Sequence, residues 1–206
     1  MMELKDEACL ARGFVSPSWV DVDTGRRMAF SQRHNQLSYM SAEAMAAAFG
    51  GDPSYIPSRV GFIYGDSDGL FTNDVSRYQT WSGIEQELSD ANVGANCDIQ
   101  VVGFSYSPTL GGADGENDDS KYSTIKSGGS NAITFHAVSN SQDDGYLSKS
   151  GSNLFGSGKY VYQALLLGFN GSTFYPISRV SLKDNGNYRT KPEGFEIALD
   201  WTIVFK

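Results

Sequence analysis

The tripeptide Asp23-Thr24-Gly25 is the first stretch of this chain whose residue types match a known catalytic motif. Asp-Thr-Gly occurs in aspartic proteases, in which two buried carboxylates share one proton. Here Arg26 and Arg27 follow directly, and two neighbouring cations favour an ionised carboxylate in a turn that faces water. The sequence therefore favours an ordinary hairpin turn over a proteolytic site.

A second stretch with binding potential is GSGKY, residues 156–160. A phosphate-binding P-loop requires Gly five residues before its Gly-Lys pair and Ser or Thr directly after it. Asn153 and Tyr160 occupy those two positions. Lys159 is therefore interpreted as a charge at the start of a strand.

Two acidic stretches are the candidates for a metal site, because carboxylates at alternate positions can converge on one Ca²⁺ ion. The first is GDSDG at 65–69, and the second contains Asp114, Glu116, Asp118 and Asp119. Neither completes an EF-hand, which needs Glu at its twelfth position: counted from Asp66 that position is Arg77, and counted from Asp114 it is Ile125. Solvated loops are the preferred interpretation, a surface Ca²⁺ site is the alternative, and no other cofactor is predicted.

The chain contains two histidines and two cysteines. Neither His34 nor His136 lies at metal-ligand spacing from another ligand, and His136 is expected on a solvent face or at an interface. Cys9 and Cys97 are too few for a disulfide framework. No catalytic residue is predicted, and an enzyme whose site is assembled from distant residues is the least favoured alternative.

Aromatic residues in or beside the Gly/Ser/Asn-rich loops are the candidate interface or ligand contacts. They are Tyr146, Phe155, Tyr175 and Tyr188. Tyrosine combines a rigid apolar face with a polar tip, which suits stacking on a sugar or on a partner protein. The alternative, which the sequence favours, is that these side chains hold the loops against the core.

The chain ends in GFEIALDWTIVFK, whose apolar residues alternate with polar ones from Phe195 to Phe205. A period of two is the pattern of a β-strand with one face in a core, and we expect a central strand here. The whole chain, 1–206, is predicted to be one all-β domain, a two-layer β-sandwich for which a jelly roll is one available topology. Eight or nine strands are expected.

Long polar loops and one short helix complete the predicted architecture. A hairpin around the Asp23 turn followed by a helix that ends at Gly50 and Gly51 forms an N-terminal segment over 14–51. Residues 107–131 and 139–158 hold little that can be buried and are predicted to be exposed arms. Residues 65–88 mix a turn, short strands and a helical turn near Ile84.

Composition and charge exclude several partners. The net charge of −8 and the scattered basic residues argue against nucleic acid. No apolar run approaches the roughly 20 residues that span a bilayer, so no membrane partner is expected. Because the first residues lack the form of a signal peptide, we expect a soluble protein that is made in a cytoplasm.

The segment VDVDTGRRMAFSQRHNQLSYMSAEAMAAAFGGDPSYIPSRVGFIYG, residues 20–65, combines a TG-turn hairpin, a His-Asn pair, an Ala-rich helix ended by Gly-Gly and a short aromatic strand. This combination resembles the opening segment of structural proteins from tailed-bacteriophage virions, particularly those of the tail and its fibres. The resemblance implies a virion location, synthesis in the host-cell cytoplasm, and assembly with copies of itself and with other virion proteins.

Two functions follow as hypotheses. The first is a non-enzymatic structural component of the tail, baseplate or capsid surface, which acts through contacts between subunits. The second is a carbohydrate-binding or host-receptor-binding β-sandwich whose loop aromatics contact a host surface glycan.

Overall fold

A computed structural model describes residues 11–30, 33–35, 46–47, 50–52, 55–66, 80–89, 97–103, 105–106, 124–127, 131–139, 147–148 and 156–205. Within these residues the chain forms two β-sheets packed face to face, with one helix against the outer face of the second sheet. The predicted all-β, two-layer sandwich is confirmed. No helix in this part of the chain is long and apolar enough to cross a membrane.

The first sheet contains seven strands. They are β1 (Ala11–Asp21), β2 (Arg27–Ala29), β3 (Arg33–Asn35), β6 (Ser105–Tyr106), β7 (Thr124–Ser127), β8 (Ala132–Val138) and β13 (Phe195–Phe205). Their order is β2-β1-β13-β8-β7-β6, with β3 also paired to β1. All neighbours are antiparallel except β6 and β7, which are parallel.

The second sheet contains six strands. They are β4 (Arg59–Gly65), β5 (Asp98–Gly103), β9 (Leu147–Ser148), β10 (Tyr160–Phe169), β11 (Phe174–Ser181) and β12 (Arg189–Thr190). Their order is β11-β10-β4-β5-β9, with β12 also paired to β10. The helix α1 spans Trp81–Ser89.

The main core lies between the sheets, and β13 crosses its centre as predicted. Trp201 is fully buried and stands opposite Val15 of β1 and Phe135 of β8. The alternating face predicted from the sequence is therefore largely buried, but its last member, Phe205, is 37% exposed. At this end β13 remains paired with β1 beyond the edge of the core, so Phe205 belongs to the strand without being buried.

A second apolar cluster lies between the outer face of the second sheet and α1, where Ile84 and Leu88 are buried. The strand β10 supplies both clusters, because its side chains alternate between the two faces of the sheet. A register shift between Val161 and Gln163 leaves Tyr162 as an extra residue against β4. Tyr162 packs in the outer cluster, and the neighbouring Gln163 reaches the helix side as well. A β-bulge accounts for two consecutive side chains that share one face.

Several expectations about individual elements need correction. α1 is a complete helix where only a helical turn was expected. β5 and β6, which adjoin in the chain, belong to different sheets, so the chain changes layer between Gly103 and Ser105. The strands β7 and β9 lie inside the predicted arms 107–131 and 139–158, where they pair with β8 and β5. Thirteen strands are present in the described residues, and their order does not establish a jelly roll.

The helix expected before Gly50 falls mostly outside the described residues. Ala46 and Ala47 are helical, and their carbonyls accept hydrogen bonds of 2.9 Å from the amides of Gly50 and Asp52. Gly51 has a φ of 86°, the left-handed conformation that commonly ends a helix. Its predicted end at Gly50 and Gly51 is therefore confirmed.

Candidate functional site

A group of half-buried aromatic side chains lies at the end of the β10–β11 hairpin, and we treat this group as the candidate site. Its loop begins with Asn170-Gly171, and an Asn-Gly pair between two strands is typical of a hairpin turn. The Asn170 side-chain oxygen accepts hydrogen bonds of 3.0 Å from the amides of Ser172 and Thr173, and Gly171 has a φ of 95°. These bonds satisfy the loop backbone locally, so the turn has a defined shape.

The aromatic residues around this turn are called the hairpin-end cluster. They are Tyr55, Trp81, Phe169, Phe174 and Tyr175, and each is partly exposed. Two of them, Tyr55 and Tyr175, lie with ring centroids 5.0 Å apart, and Tyr55 packs on the core between the sheets. Asn170 Nδ2 donates a hydrogen bond of 2.9 Å to the Tyr175 hydroxyl, which fixes one end of this pair.

The other three residues of the cluster lie on the helix side of the hairpin. Phe169 and Phe174 are cross-strand partners with centroids 4.9 Å apart, and Trp81 lies 4.6 Å from Phe174. Such distances are those of favourable aromatic pairs. Because strand residues alternate between faces, Phe174 and Tyr175 point to opposite sides, and the cluster surrounds the hairpin end.

The position of Trp81 depends on α1. The preceding residue, Thr80, caps the helix: its hydroxyl accepts a hydrogen bond of 3.2 Å from the Gly83 amide. Farther along the helix, Glu87 forms a bidentate ion pair with Arg179 of β11, with distances of 2.9 and 3.0 Å. Arg179 Nε also donates to the Gln163 side chain. The helix is therefore attached to the hairpin by buried polar contacts as well as by Ile84 and Leu88.

Arg59, the first residue of β4, is the cation of this region. Its guanidinium carbon lies 5.4 Å from the Phe169 ring centroid, a cation–π distance. Nη1 donates a hydrogen bond of 2.9 Å to the Ser58 carbonyl, whereas Nε is buried and has no acceptor. In the described ranges no carboxylate forms an ion pair with Arg59. Burial lowers the pKa of Arg59 from its ordinary value.

The predicted contact residues have different environments. Tyr175 belongs to the hairpin-end cluster. Tyr188 is only 6% exposed and packs edge-on against Tyr162 at 4.9 Å, with Lys183 Nζ over its ring, so this ring holds its loop on the core. Tyr146 and Phe155 lie outside the described residues.

Arg59, Trp81 and the Phe169 and Phe174 pair were not predicted as site residues from the sequence. A signal for the last two was available, since phenylalanines on either side of an Asn-Gly turn are cross-strand neighbours when the hairpin closes. Trp81 required knowledge of α1, and Arg59 required the strand pairing of β4 with β10.

The other motifs have structural explanations. Asp23-Thr24-Gly25 is an exposed turn, where Asp21 Oδ1 accepts hydrogen bonds from the Asp23 and Thr24 amides at 3.0 and 2.9 Å. The Thr24 amide and hydroxyl are the main reasons why the pKa of Asp21 lies below its usual value. Lys159 pairs with Asp66 at the start of β10.

His136 is buried, which corrects the solvent-facing alternative for this residue. It lies on the face of β8 turned away from the core between the sheets, and its Nδ1 is 2.6 Å from Asp200 Oδ1. Asp200 Oδ2 is 3.3 Å from Arg27 Nη1. The carboxylate therefore joins β8, β13 and β2, and it gives the buried ring a polar partner.

A second polar network attaches the last loop to the first sheet. Lys191 Nζ lies 2.6 Å from Glu196 Oε1, and the Ser139 hydroxyl donates to Glu196 Oε2 at 2.5 Å. Ser139 Oγ also accepts a hydrogen bond of 3.1 Å from the Ile197 amide. Both sides of this buried hydroxyl are thus engaged in holding the end of β8 against β13.

For the acidic stretches, a surface Ca²⁺ site was the alternative to solvated loops. The stretch from Asp114 to Asp119 lies outside the described residues, as does most of 65–69. Among the residues that the structure describes, no group of three or more His, Cys, Asp or Glu side chains is arranged to hold a metal ion.

Comparison with protein-family models, with curated proteins and with solved structures finds no match for this chain.

Proposed function

We propose that this chain is a non-enzymatic structural component of a tailed-phage virion, located in the tail, the baseplate or the capsid surface, that acts through contacts between subunits. The observation that supports this proposal best is the exposed edge strand β2. All three of its residues are exposed, including Met28 at 40%. An exposed strand edge is a template on which a strand of another chain can pair.

The β2 edge lacks the charge that usually protects such a strand. Edge strands commonly carry outward-pointing charges that prevent pairing. Arg27 is the charged residue of β2, and its guanidinium is directed at Asp200 of its own sheet. β2 also belongs to the segment 20–65 whose sequence resembles virion proteins, so the edge and the resemblance support the same role.

The alternation of hydrogen bonds identifies the backbone groups available to a partner. The Phe30 amide bonds to the Pro17 carbonyl and the Asp21 amide to the Arg26 carbonyl, so residues of even number in β2 face β1. The amides of Arg27 and Ala29 therefore point outward. Ala29→Pro removes an outward donor and leaves the pairing of Met28 with Trp19 in place.

The test is the mass of the purified protein by light scattering across a concentration series. We expect the wild-type chain to assemble as its concentration rises, Ala29→Pro to stay monomeric, and the control Ala29→Ser to assemble like the wild type. A monomeric wild-type chain at every concentration, or an Ala29→Pro variant that assembles normally, would contradict pairing through β2.

A second candidate function is binding of a host surface glycan, and the hairpin-end cluster favours it. The partly exposed Tyr55 and Tyr175 rings, with the amide of Asn170 beside them, provide the stacking faces and polar groups that sugars require. We expect Tyr175→Ala to abolish glycan retention on an array and Tyr175→Phe, which keeps the ring, to preserve most of it. Equal retention by wild type and Tyr175→Ala would remove this residue from the site.

A further inference from the structure

The guanidinium of Arg59 has unused hydrogen-bonding capacity. Of its donors, Nη1 bonds to the Ser58 carbonyl, and Nε is enclosed without an acceptor. Because Nε is enclosed, a ligand would bind this guanidinium at its Nη edge.

The partner that Arg59 lacks among the described residues is an anion. Elsewhere in the described residues, three arginines have carboxylate partners: Glu87 for the buried Arg179, and Asp184 and Asp200 for the more exposed Arg189 and Arg27. Within the same described ranges, Arg59 contacts only the Phe169 ring and the Ser58 carbonyl in this way. Arginine presents a planar fork of donors that matches a carboxylate in two parallel hydrogen bonds.

Aromatic rings adjoin this cation. Phe169, Phe174 and Trp81 follow one another at centroid distances below 5 Å, all partly exposed, on the same side of the sheet as the cation–π contact. A ring-shaped ligand can lie on these faces while its acidic group reaches the guanidinium. A short acidic side chain of a peptide would satisfy the charge but leave the aromatic faces without a ring to stack on.

We propose that Arg59, together with Phe169, Phe174 and Trp81, binds the carboxylate-bearing sugar of an acidic glycan. This inference rests on the second candidate function, glycan binding, and it places the acidic sugar on the helix side of the hairpin-end cluster, across the hairpin from Tyr175. Arg59 supplies the charge recognition, and the three rings supply the stacking surface.

The test uses an array on which sialic-acid and uronic-acid oligosaccharides are printed beside counterparts whose carboxyl groups have been reduced to alcohols. We expect the wild-type chain to bind at least one acidic glycan and to lose at least tenfold in signal on its reduced counterpart. Arg59→Gln should lose a similar factor on the acidic glycan. Arg12→Gln, which removes an exposed arginine of β1, should bind like the wild type.

The outcomes distinguish failure of the Arg59 assignment from failure of glycan binding itself. Binding that is equal on acidic and reduced glycans, or that survives Arg59→Gln, would overturn the assignment of Arg59 while glycan binding itself stands. Absence of binding to every glycan would overturn both. Binding of a poly-glutamate peptide without any glycan binding would likewise overturn the acidic-sugar assignment. A thermal unfolding midpoint within about 3 °C of wild type for Arg59→Gln shows that its loss of signal is not a loss of fold.

Discussion

The buried ion pair between Glu87 and Arg179 should stabilise the chain only as a pair. The two side chains are 1% and 6% exposed and share two hydrogen bonds of 2.9 and 3.0 Å. Glu87→Leu would leave the Arg179 guanidinium buried without its counter-charge, which typically costs about 3 to 5 kcal/mol. Because a folded domain is stable by only about 5 to 15 kcal/mol, this loss is a large fraction of the total.

Urea unfolding measures the effect. With a slope near the upper end of the usual range, about 3 kcal/mol per molar urea, Glu87→Leu should lower the midpoint by at least about 1 M. Arg179→Met should lower it by a similar amount, since it removes the cation that faces the buried Glu87 carboxylate. The double variant Glu87→Leu/Arg179→Met should cost less than either single change, because both charges then leave the interior together.

An exposed pair provides the matched control. Lys159 and Asp66 form an ion pair whose side chains are 36% and 42% exposed. Asp66→Asn should therefore change the free energy of unfolding by about 1 kcal/mol or less. The reasoning is refuted if Glu87→Leu costs no more than Asp66→Asn, or if the double variant costs the sum of the two single changes.

Three further predictions concern the core, a turn and a thiol. Trp201→Ala should cost about 3 to 5 kcal/mol in urea unfolding, because the ring is fully buried between the sheets. Gly186→Val should cost about 1 to 2 kcal/mol, since Gly186 has a φ of 87°, whereas Asn185→Gly at the adjacent left-handed position should change stability little. Burial raises the pKa of Cys97 to about 11 from 9.0, so in a Cys9→Ser background its alkylation by iodoacetamide at pH 8 should be slow in the folded chain and rapid in urea. Through this pKa shift Cys97 makes a contribution to the free energy of unfolding that is fully present below about pH 9 and is lost as pH rises toward 11. Urea midpoints measured across that pH range should fall accordingly.

The elements that the sequence predicted well are those with a long, regular pattern and a strong turn. The alternation from Phe195 to Phe205 identified β13, and Asn170-Gly171 identified the β10–β11 hairpin. Both signals are local, because each depends on residues adjacent in the chain. Another Asn-Gly pair, at 185–186, also lies in a tight turn, with Asp184 and Asn187 paired across it.

The elements that the sequence did not predict depend on partners distant in the chain. β7 and β9 are short and polar, and they exist because β8 and β5 offer backbone partners. α1 has only nine residues, fewer than an isolated helix needs, so packing on the second sheet decides its formation. From the sequence alone, Glu87 would be assigned to the surface. Its partner Arg179 lies ninety-two residues later in the chain.

The residues of the candidate site also differ in whether a local sequence pattern or a distant partner identifies them. Tyr175 was identifiable because it adjoins a Gly/Ser/Asn-rich loop, but Arg59 is distinctive because Nε has no acceptor and no carboxylate of the described residues pairs with it. Pairing of β4 with β10 sets Arg59 opposite Leu167, two residues before Phe169. The register of that ladder, rather than any motif, therefore places the cation beside the rings.

The ion pair of Glu87 and Arg179 connects the stability of the fold to the geometry of the hairpin-end cluster. Trp81 opens α1, whereas Phe174 and Tyr175 open β11, the strand that carries Arg179. An apolar helix contact tolerates sliding, because apolar attraction has no preferred direction, but a bidentate arginine–carboxylate pair fixes both position and orientation. The ion pair thus holds the helix and the hairpin in one register, and the spacing of Trp81 and Phe174 follows from that register rather than from their own contact.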